Sequence, residues 1–331
     1  MRQASKVLIA AHFATAPGDP HLQPLLDAGF EIVWNTAGRF LTEDELVVLL
    51  PGVVGTLAAV EPYTERVFAS APDLRVVSRV GVGYDQIDGQ AATRPRVALA
   101  MAFGANHEAV ADYALALMLA LADDVLNHHQ QVRGREWQMD FHPGFWGSTV
   151  GIVGLGRIGK AVARRCLAFG TTVMVHEPQP DMAFVRGHGV RLAPLDSLLR
   201  EADFVTLHLP ASAETNRFVN RERLALMKRT AFLVNTARGA LVDEAALCNA
   251  LAAGRLAGAG LDTFAEEPPW NSRLLSLPNV ILSPHSAASD QRAKTAVLRR
   301  AVDSIVAVAA GRNPGPGLLL NPEALGALPP N

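Results

Sequence analysis

The sequence predicts an α/β fold built from two doubly wound, parallel-sheet domains, and three observations support this prediction. Apolar runs of strand length alternate with helical patterns in the N-terminal third, and the alternation starts again near Thr149. The length of 331 residues exceeds what one hydrophobic core usually accommodates. Hydrophobic residues make up 49% of the chain and charged residues 19%, which is enough for two buried cores and unlike a disordered protein.

The N-terminal part contains five predicted strands with helical patterns between them. The five runs are KVLIAA (Lys6–Ala11), FEIVW, VVGTLAAV, LRVVSRV and VALAMA (Val97–Ala102). Strands that are separated by helices form parallel sheets. Ligands of such sheets bind beyond the carboxyl ends of the strands. The Gly81-Val82-Gly83 segment at the end of the fourth strand is therefore a candidate binding site.

A long Ala- and Leu-rich helix is predicted from about Glu108 to Gln131, leading into the second domain. Its stretch Tyr113–Ala122 is apolar on nearly all sides, which requires burial all round, within the monomer or against a second copy. The apolar run Ala114–Ala122 is much shorter than the ~20 residues that span a bilayer. We therefore expect a buried helix and no membrane span.

The second domain starts with a strand near Thr149 and contains six predicted strands. They are Val150–Val153, Val173–His176, Phe204–Leu207, Phe232–Asn235, Gly258–Leu261 and Val280–Leu282. An amphipathic helix, about Gln291 to Ala310, follows the last of them. Such a helix could close the second sheet or return to the first, and we favour the return.

The segment VGIVGLGRIGKAVARR (Val150–Arg165) places a G-x-G-x-x-G between a strand and a helix, as dinucleotide-binding domains do. Gly154 permits the tight turn, Gly156 lets the backbone approach a pyrophosphate, and Gly159 lets helix and strand pack closely. The helix start supplies free N–H groups and a partial positive charge to the phosphates. The predicted cofactor contacts of this segment are Gly154, Gly156, Arg157, Ile158 and Gly159.

Glu177 ends the next strand, 18 residues after Gly159. An acid at this position binds the adenosine ribose hydroxyls and would repel a 2′-phosphate. No Lys or Arg follows until Arg186. The sequence therefore predicts NAD rather than NADP as the cofactor.

Three polar residues follow later strands of the second domain: Arg238, Glu267 and His285. Arginine offers a planar, permanently charged fork for a carboxylate and the adjacent carbonyl. Histidine exchanges a proton near neutrality, and a carboxylate partner fixes its orientation. The set suits reduction of a 2-oxo acid. Taken singly, each residue has another interpretation: a surface arginine in an ion pair, a solvated acid and a histidine that caps a loop.

Charge and cysteine content exclude several classes of protein. The formal net charge is −2, without long runs of one sign, which argues against a nucleic-acid or anionic-membrane partner. The two cysteines, Cys166 and Cys248, cannot form a zinc site, and we predict no metal. Their number fits a reducing cytosol, so we expect a cytoplasmic protein.

The sequence resembles the D-isomer-specific 2-hydroxyacid dehydrogenases over nearly its whole length. The matching motifs are GVGYDQID (Gly81–Asp88), GANHEAVADYALALML (Gly104–Leu119), GIVGLGRIG (Gly151–Gly159), NTARGALVDEAAL (Asn235–Leu247), LDTFAEEP (Leu261–Pro268) and SPHSAAS (Ser283–Ser289). Several ordered motifs at compatible spacing make the resemblance specific.

The resemblance implies a catalytic set in which Arg238 binds substrate, His285 is the general acid/base and Glu267, directly before a proline, is its partner. It implies that Asp262 and the backbone of Ala237 hold the nicotinamide carboxamide. We also expect Leu209 and Pro210, which follow His208, to contact the cofactor.

The resemblance further implies that a Rossmann NAD-binding domain, residues 104–288, is inserted into a flavodoxin-like substrate domain, residues 1–103 and 289–331. The chain would cross between them through hinges near Ala102–Gly104 and Pro284–Asp290. In this family the region Tyr113–Ala122 contributes to a two-fold interface, so we expect a homodimer.

The substrate contacts implied for the first domain are the backbone N–H groups of Val82 and Gly83, with Asn106 nearby. We expect a small 2-oxo or 2-hydroxy acid such as glyoxylate or hydroxypyruvate. The alternative is 3-phosphoglycerate, because Arg79 and Arg94 resemble positions that face the phosphate in 3-phosphoglycerate dehydrogenases. An alternative from another class is a cofactor-sensing corepressor, since such relatives can keep the same three polar residues.

Overall fold

The structure, a computed structural model, describes residues 5–94 and 96–326. The chain divides into two compact units at two points, between Asn106 and His107 and between Ser289 and Asp290. The first unit therefore combines the N-terminal and C-terminal parts of the chain, and the second is the continuous segment between them.

The first unit is built on a five-stranded parallel sheet. Its elements before Asn106 are β1 (Lys6–Ile9), α1 (Gln23–Asp27), β2 (Glu31–Trp34), α2 (Glu43–Leu49), β3 (Val53–Ala58), α3 (Glu65–Ser70), β4 (Val76–Arg79), α4 (Gly89–Thr93) and β5 (Ala98–Met101). The strands lie in the order β2-β1-β3-β4-β5, which is the flavodoxin-like order. The order reverses between β1 and β3.

The second unit is built on a seven-stranded parallel sheet. Its elements are α5 (His107–Ala122), α6 (Val125–Arg133), β6 (Thr149–Val153), α7 (Arg157–Ala168), β7 (Thr172–His176), α8 (Met182–His188), β8 (Arg191–Leu192), α9 (Leu195–Glu201), β9 (Phe204–Leu207), α10 (Arg221–Leu226), β10 (Phe232–Asn235), α11 (Glu244–Ala252), β11 (Gly258–Leu261) and β12 (Val280–Leu282). The strand order β12-β11-β10-β9-β6-β7-β8 contains the Rossmann order and reverses between β6 and β9. The predicted α/β fold with two parallel-sheet domains is confirmed.

The predicted continuous helix from Glu108 to Gln131 is wrong at one point. The chain leaves the helix after Ala122 and starts α6 at Val125, with Asp124 between them in the left-handed conformation at φ 47°. A non-glycine residue in this conformation interrupts an α-helix. The Asn127 side chain donates a hydrogen bond to the Asp124 carboxylate at 3.0 Å, which stabilises the break.

The apolar side chains of α5 are largely buried within the second unit. Leu115, Leu117, Met118 and Leu121 belong to the same hydrophobic core as α7 and the strands of the sheet. This packing accounts for much of the apolar character of the helix within one protomer. The segment that follows it is different, because several of its large apolar side chains are exposed.

The C-terminal helix α12 (Gln291–Ala309) packs on the sheet of the first unit. The Ser78 hydroxyl of β4 donates to the Ala301 carbonyl oxygen at 2.8 Å. Gly55 of β3 makes room for the helix, because a Cβ atom there would stand 3.0 Å from Ile305 Cγ2.

The chain that follows α12 also belongs to the first unit. Leu319 forms an antiparallel bridge with Ala100 of the edge strand β5. Among residues 5–94 and 96–326, no helix has the combination of length and apolar character that crossing a bilayer needs. Over the same residues, no group of three or more His, Cys, Asp or Glu side chains is arranged to hold a metal ion.

Candidate active site

The turn between β6 and α7 shows why each of its three glycines is needed. Gly154 has φ +95°, and a Cβ atom there would stand 2.5 Å from the His208 carbonyl oxygen. A Cβ atom on Gly159 would stand 2.1 Å from the Gly154 carbonyl oxygen. Gly156 differs, because nothing lies within 4 Å of its Cβ position. The first two glycines serve packing of the chain, whereas Gly156 leaves the backbone open to a ligand.

The start of α7 is suited to bind an anion. Its N-cap residue is Gly156, which has no side chain to accept hydrogen bonds from the first N–H groups of the helix. These N–H groups and the positive end of the helix dipole attract phosphates. Arg157 and Ile158 form the first turn. The residues present therefore fit a dinucleotide pyrophosphate.

Glu177 lies directly after β7 and beside the glycine turn. Its Oε2 accepts the Leu155 N–H at 2.9 Å, and its Oε1 accepts the Gln179 N–H at 3.1 Å. These bonds hold the carboxylate at the end of the strand where an adenosine ribose would bind. Lys160, near the start of α7, pairs with Asp181 at 2.7 Å.

His208, Leu209 and Pro210 follow β9, next to the glycine turn. The His208 Nε2 lies 2.9 Å from the Thr206 hydroxyl oxygen. Burial lowers the pKa of His208 to about 3, so that its ring stays neutral at physiological pH. His208 is therefore not a candidate proton donor.

The loop after β10 orients Arg238. The Asn235 side chain accepts the Ala237 N–H at 3.0 Å and donates to the Arg238 carbonyl oxygen at 2.7 Å. The Arg238 guanidinium, which is half-buried, donates to the Ala237 carbonyl oxygen at 2.6 Å. The role of Asn235 was not predicted, although an asparagine that ends a strand before a tight loop is a recognisable signal in the sequence.

Asp262 is fully buried and holds the loop that carries the histidine. Its Oδ1 accepts the Ser283 hydroxyl at 2.6 Å and the Ser286 N–H at 2.9 Å, and its Oδ2 accepts the Ala287 N–H at 2.9 Å. Its backbone carbonyl accepts the His285 N–H at 2.9 Å. His285 itself has φ 53°, a conformation that side chains other than glycine adopt rarely. Asp262 thus stabilises an uncommon backbone geometry at the histidine.

The structure brings His285 and Glu267 together. His285 Nδ1 lies 2.8 Å from Glu267 Oε2, and both side chains are about two-fifths exposed. The other carboxylate oxygen accepts the Phe264 N–H at 3.0 Å. The adjacent Glu266 is not in this contact, so the glutamate chosen from the sequence is the one that pairs with the histidine.

The electrostatic environment keeps Glu267 ionised. Burial would raise the pKa of Glu267, but the hydrogen bond and charge of His285, the Phe264 N–H and the charge of Arg238 outweigh burial and lower it. Arg238 therefore acts on the same carboxylate as His285. Three residues that are far apart in the sequence converge at the carboxyl ends of β10, β11 and β12.

Two residues that were not predicted from the sequence position the loop of Glu267. The Glu244 carboxylate accepts the Ala265 N–H at 3.1 Å and the Ser272 hydroxyl at 2.5 Å. Gly239 lets this loop approach, because a Cβ atom there would stand 1.9 Å from the Phe264 carbonyl carbon. The contacts of Glu244 are 21 and 28 residues away, and no local pattern reveals them.

The remaining predicted residues lie in the first unit. Val82 and Gly83 are half-buried after β4, and Asn106 is buried at the end of the N-terminal segment. Arg79 is the last residue of β4, whereas Arg94 precedes β5 and lies 3.1 Å from Glu65. Because the strands are parallel, these positions fall at opposite ends of the sheet. The structure therefore does not bring Arg79 and Arg94 together.

Residues 115–287 match the family model described as D-isomer specific 2-hydroxyacid dehydrogenase, NAD binding domain. A glyoxylate reductase of Korarchaeum cryptofilum is 41% identical over 277 residues, 82% of this chain and 83% of that protein. The chain belongs to the D-isomer-specific 2-hydroxyacid dehydrogenase family. It is therefore an oxidoreductase that acts on the CH–OH group of 2-hydroxy acids, and it contains an NAD-binding domain.

Other dehydrogenases of the family are similar over different parts of their length. A D-3-phosphoglycerate dehydrogenase of Mycobacterium tuberculosis is 40% identical over 254 residues, which are 76% of this chain but 48% of that protein. The structure of D-lactate dehydrogenase from Aquifex aeolicus, complexed with NAD and lactic acid, matches with a TM-score of 0.85 at 26% identity and covers 95% of this chain and 98% of that one. An NADPH-dependent glyoxylate/hydroxypyruvate reductase of Sinorhizobium meliloti matches with a TM-score of 0.75 at 30% identity, over 91% of this chain and 92% of that one.

Proposed function

We propose that the protein is an NAD-dependent 2-oxo acid reductase in which His285 is the general acid/base, Glu267 its partner and Arg238 the substrate-binding cation. The observation that carries this proposal is the 2.8 Å contact between His285 Nδ1 and Glu267 Oε2. Because Nδ1 shares its proton with Glu267, Nε2 is the ring nitrogen that can exchange a proton with the substrate. The imidazolium then donates to the carbonyl oxygen of the substrate, and in reverse the neutral ring accepts the proton of the alcohol.

Arg238 binds the substrate carboxylate and polarises its carbonyl. A guanidinium does so without changing protonation, and negative charge that develops on the carbonyl oxygen makes this the larger electrostatic contribution. A bound nicotinamide cofactor supplies or accepts the hydride at substrate C2. Asp262, the Ala237 backbone, Leu209 and Pro210 are proposed to contact that cofactor, in the unit that also contains the glycine turn.

We propose NADH as the preferred cofactor over NADPH. The support is the carboxylate of Glu177, which would repel a 2′-phosphate, and the pairing of Lys160 with Asp181, which offsets the positive charge of Lys160. Measured ratios of kcat/KM for NADH and NADPH test this proposal. Glu177→Ala is expected to raise the relative use of NADPH, and a wild-type preference for NADPH would contradict it.

The proposed substrate is a small 2-oxo acid such as glyoxylate or hydroxypyruvate, bound in part by Val82, Gly83 and Asn106 of the first unit. The support is the similarity to glyoxylate reductases over more than four-fifths of the chain. The separation of Arg79 and Arg94 weakens the alternative, 3-phosphoglycerate, because a phosphate cannot reach both ends of one sheet.

Oxidation of NADH, followed by absorbance with glyoxylate, hydroxypyruvate and 3-phosphohydroxypyruvate, tests the proposed activity. His285→Ala should lower kcat by about 10²- to 10⁴-fold, the usual contribution of a general acid, while NADH still binds. Near-normal turnover of this variant would remove His285 from its role. Tight NADH binding without turnover of any 2-oxo acid would favour a cofactor-sensing protein instead.

We propose a homodimer whose interface includes α6 and the segment after it. The support is the concentration of exposed large apolar side chains in this part of the chain: Val125, Leu126, Val132, Trp137, Met139, Phe141 and Trp146. The molecular mass from sedimentation should be twice 35.3 kDa. Trp137→Ser should lower this mass, whereas the control Val48→Ser, at an exposed position of α2, should leave it unchanged. A monomeric wild type would refute the dimer.

We also propose a reducing, cytoplasmic location, because the two cysteine thiols are buried and form no disulfide.

A further inference from the structure

A buried carboxylate with an unsatisfied oxygen follows β3 in the first unit. Glu61 is 1% exposed, and its Oε2 accepts the Ala59 N–H at 2.6 Å. Its Oε1 is also buried, and within the described part of the chain it has no hydrogen-bond partner. A buried acceptor without a donor is costly, so such a group usually meets a ligand or an ordered water.

Glu61 lies where ligands bind to a sheet of this topology. The strand order reverses between β1 and β3, and ligands bind at such a point, outside the carboxyl ends of the strands. Ala58, the last residue of β3, is in register with Arg79, and the Val80 N–H donates to the Ala58 carbonyl oxygen at 2.8 Å. The segments that carry Glu61 and Val82 therefore leave the sheet from adjacent strand ends, about 4.8 Å apart.

The protein itself supplies positive charge to this carboxylate. Burial raises the pKa of Glu61, and the Ala59 N–H and the charges of Arg79 and His12 offset that rise only in part. Arg79 is buried, and its guanidinium lies against Gly81, where a Cβ atom would stand 2.9 Å from Nη1. His12, after β1, has a buried Nδ1 that also lacks a partner among the described residues. Because Arg79 and His12 already supply positive charge, what Oε1 lacks is a hydrogen-bond donor.

We propose that Glu61 Oε1 accepts a hydrogen bond from a hydroxyl group on substrate C3, and that the same carboxylate disfavours a phosphate at that position. The preferred substrates are then 2-oxo acids with a free 3-hydroxyl. An uncharged hydroxyl donates without adding charge, whereas a phosphate has no proton to spare at neutral pH and adds negative charge next to Glu61. This inference rests on the proposed function, because it takes Val82 and Gly83 as donors to the substrate carboxylate.

The test compares kcat/KM of the full-length protein for pyruvate, hydroxypyruvate and 3-phosphohydroxypyruvate with NADH. The wild type should prefer hydroxypyruvate over pyruvate by about 10- to 100-fold, the value of one hydrogen bond to a charged group. Glu61→Ala should bring this ratio close to one. Glu61→Gln, which has the same shape without the charge, should raise the relative use of 3-phosphohydroxypyruvate.

The matched control is Glu31→Gln, because Glu31 is exposed on the edge strand β2 and should change neither ratio. If the wild type has no preference for the hydroxyl, or if both Glu61 variants keep the wild-type ratios, the inference is wrong and the proposed function still stands. Absence of turnover with every 2-oxo acid, glyoxylate included, overturns both. Should Glu61→Ala fail to fold, the ratio measured with Glu61→Gln decides.

Discussion

Replacement of Asp262 tests how the backbone of His285 is held. Asp262 is fully buried and accepts three short hydrogen bonds, from the Ser283 hydroxyl and from the N–H groups of Ser286 and Ala287. Asp262→Asn keeps the shape but places an amide NH₂ where one carboxylate oxygen was. Because Oδ1 serves two donors, the amide oxygen should take its place and the NH₂ group should face the Ala287 N–H.

The cost follows from the number of bonds that change. Asp262→Asn loses one bond to a charged acceptor and leaves one buried N–H without a partner, which costs about 1–3 kcal/mol. Asp262→Ala leaves all three donors without an acceptor, so we expect a loss of about 3–9 kcal/mol. Such losses are large against the total stability of a typical domain, which is about 5–15 kcal/mol.

Urea unfolding followed by tryptophan fluorescence measures this loss. Three of the four tryptophans, Trp137, Trp146 and Trp270, lie in the second unit. A loss of about 2 kcal/mol should lower its midpoint by about 1 M, given the usual dependence on urea. The value of kcat should fall as well, since the loop positions His285. Asp196→Asn, in the exposed first turn of α9, is the control and should leave both unchanged. Wild-type stability and kcat in Asp262→Asn would refute the reasoning.

Three further predictions concern other contacts of the site. Gly159→Ala should lower Tm because its Cβ would stand 2.1 Å from a backbone oxygen. Gly156→Ala should keep Tm and weaken NADH binding, because its Cβ position is open. Unchanged NADH affinity of Gly156→Ala would show that the cofactor does not approach the backbone there. The lowered pKa of Glu267 contributes stability that is complete above its unfolded value near 4.5 and is lost as pH falls through the folded value. The Tm of Glu267→Gln should therefore fall less steeply with decreasing pH than that of the wild type. The pH dependence of its kcat for reduction should move to lower pH, and an unchanged dependence would show that Glu267 does not act on His285. Glu244→Gln should lower kcat about two- to tenfold, the value of one hydrogen bond, without changing NADH affinity, and equal kcat would show that the brace is dispensable.

The fold was predictable from the sequence because most of its strands are buried on both faces. Runs such as Phe204–Leu207 and Phe232–Asn235 are mostly apolar and fully buried, and the structure has them as β9 and β10 with the same bounds. The break at Asp124 was not predictable, since the helical pattern continues through it. The strand β8 was missed because it has only two residues and both are exposed.

The residues of the candidate site could be predicted from the sequence because each follows a strand, and the carboxyl ends of parallel strands lie at one edge of the sheet. Position after a strand indicated Arg238, Glu267 and His285 as candidates, and the family resemblance implied their roles. The contacts that position these residues could not be predicted from local sequence. Glu244 accepts a hydrogen bond from a residue 28 positions away, and the hydrogen bond from Ser286 to Asp262 spans 24 residues. Glu61 also gave no signal, because its burial depends on how neighbouring strands end.

The divided sequence of the first unit determines the order in which this protein can fold during synthesis. The hydrogen bond from Ser78 to Ala301 spans 223 residues, so the helix that covers β3 and β4 leaves the ribosome about 10–45 s after the strands, at ordinary elongation rates. The intervening segment is continuous and can complete its own core in that interval. A nascent chain halted when Ser289 has just emerged from the ribosome should therefore have a nucleotide-binding half that resists protease, while its N-terminal strands are still cleaved.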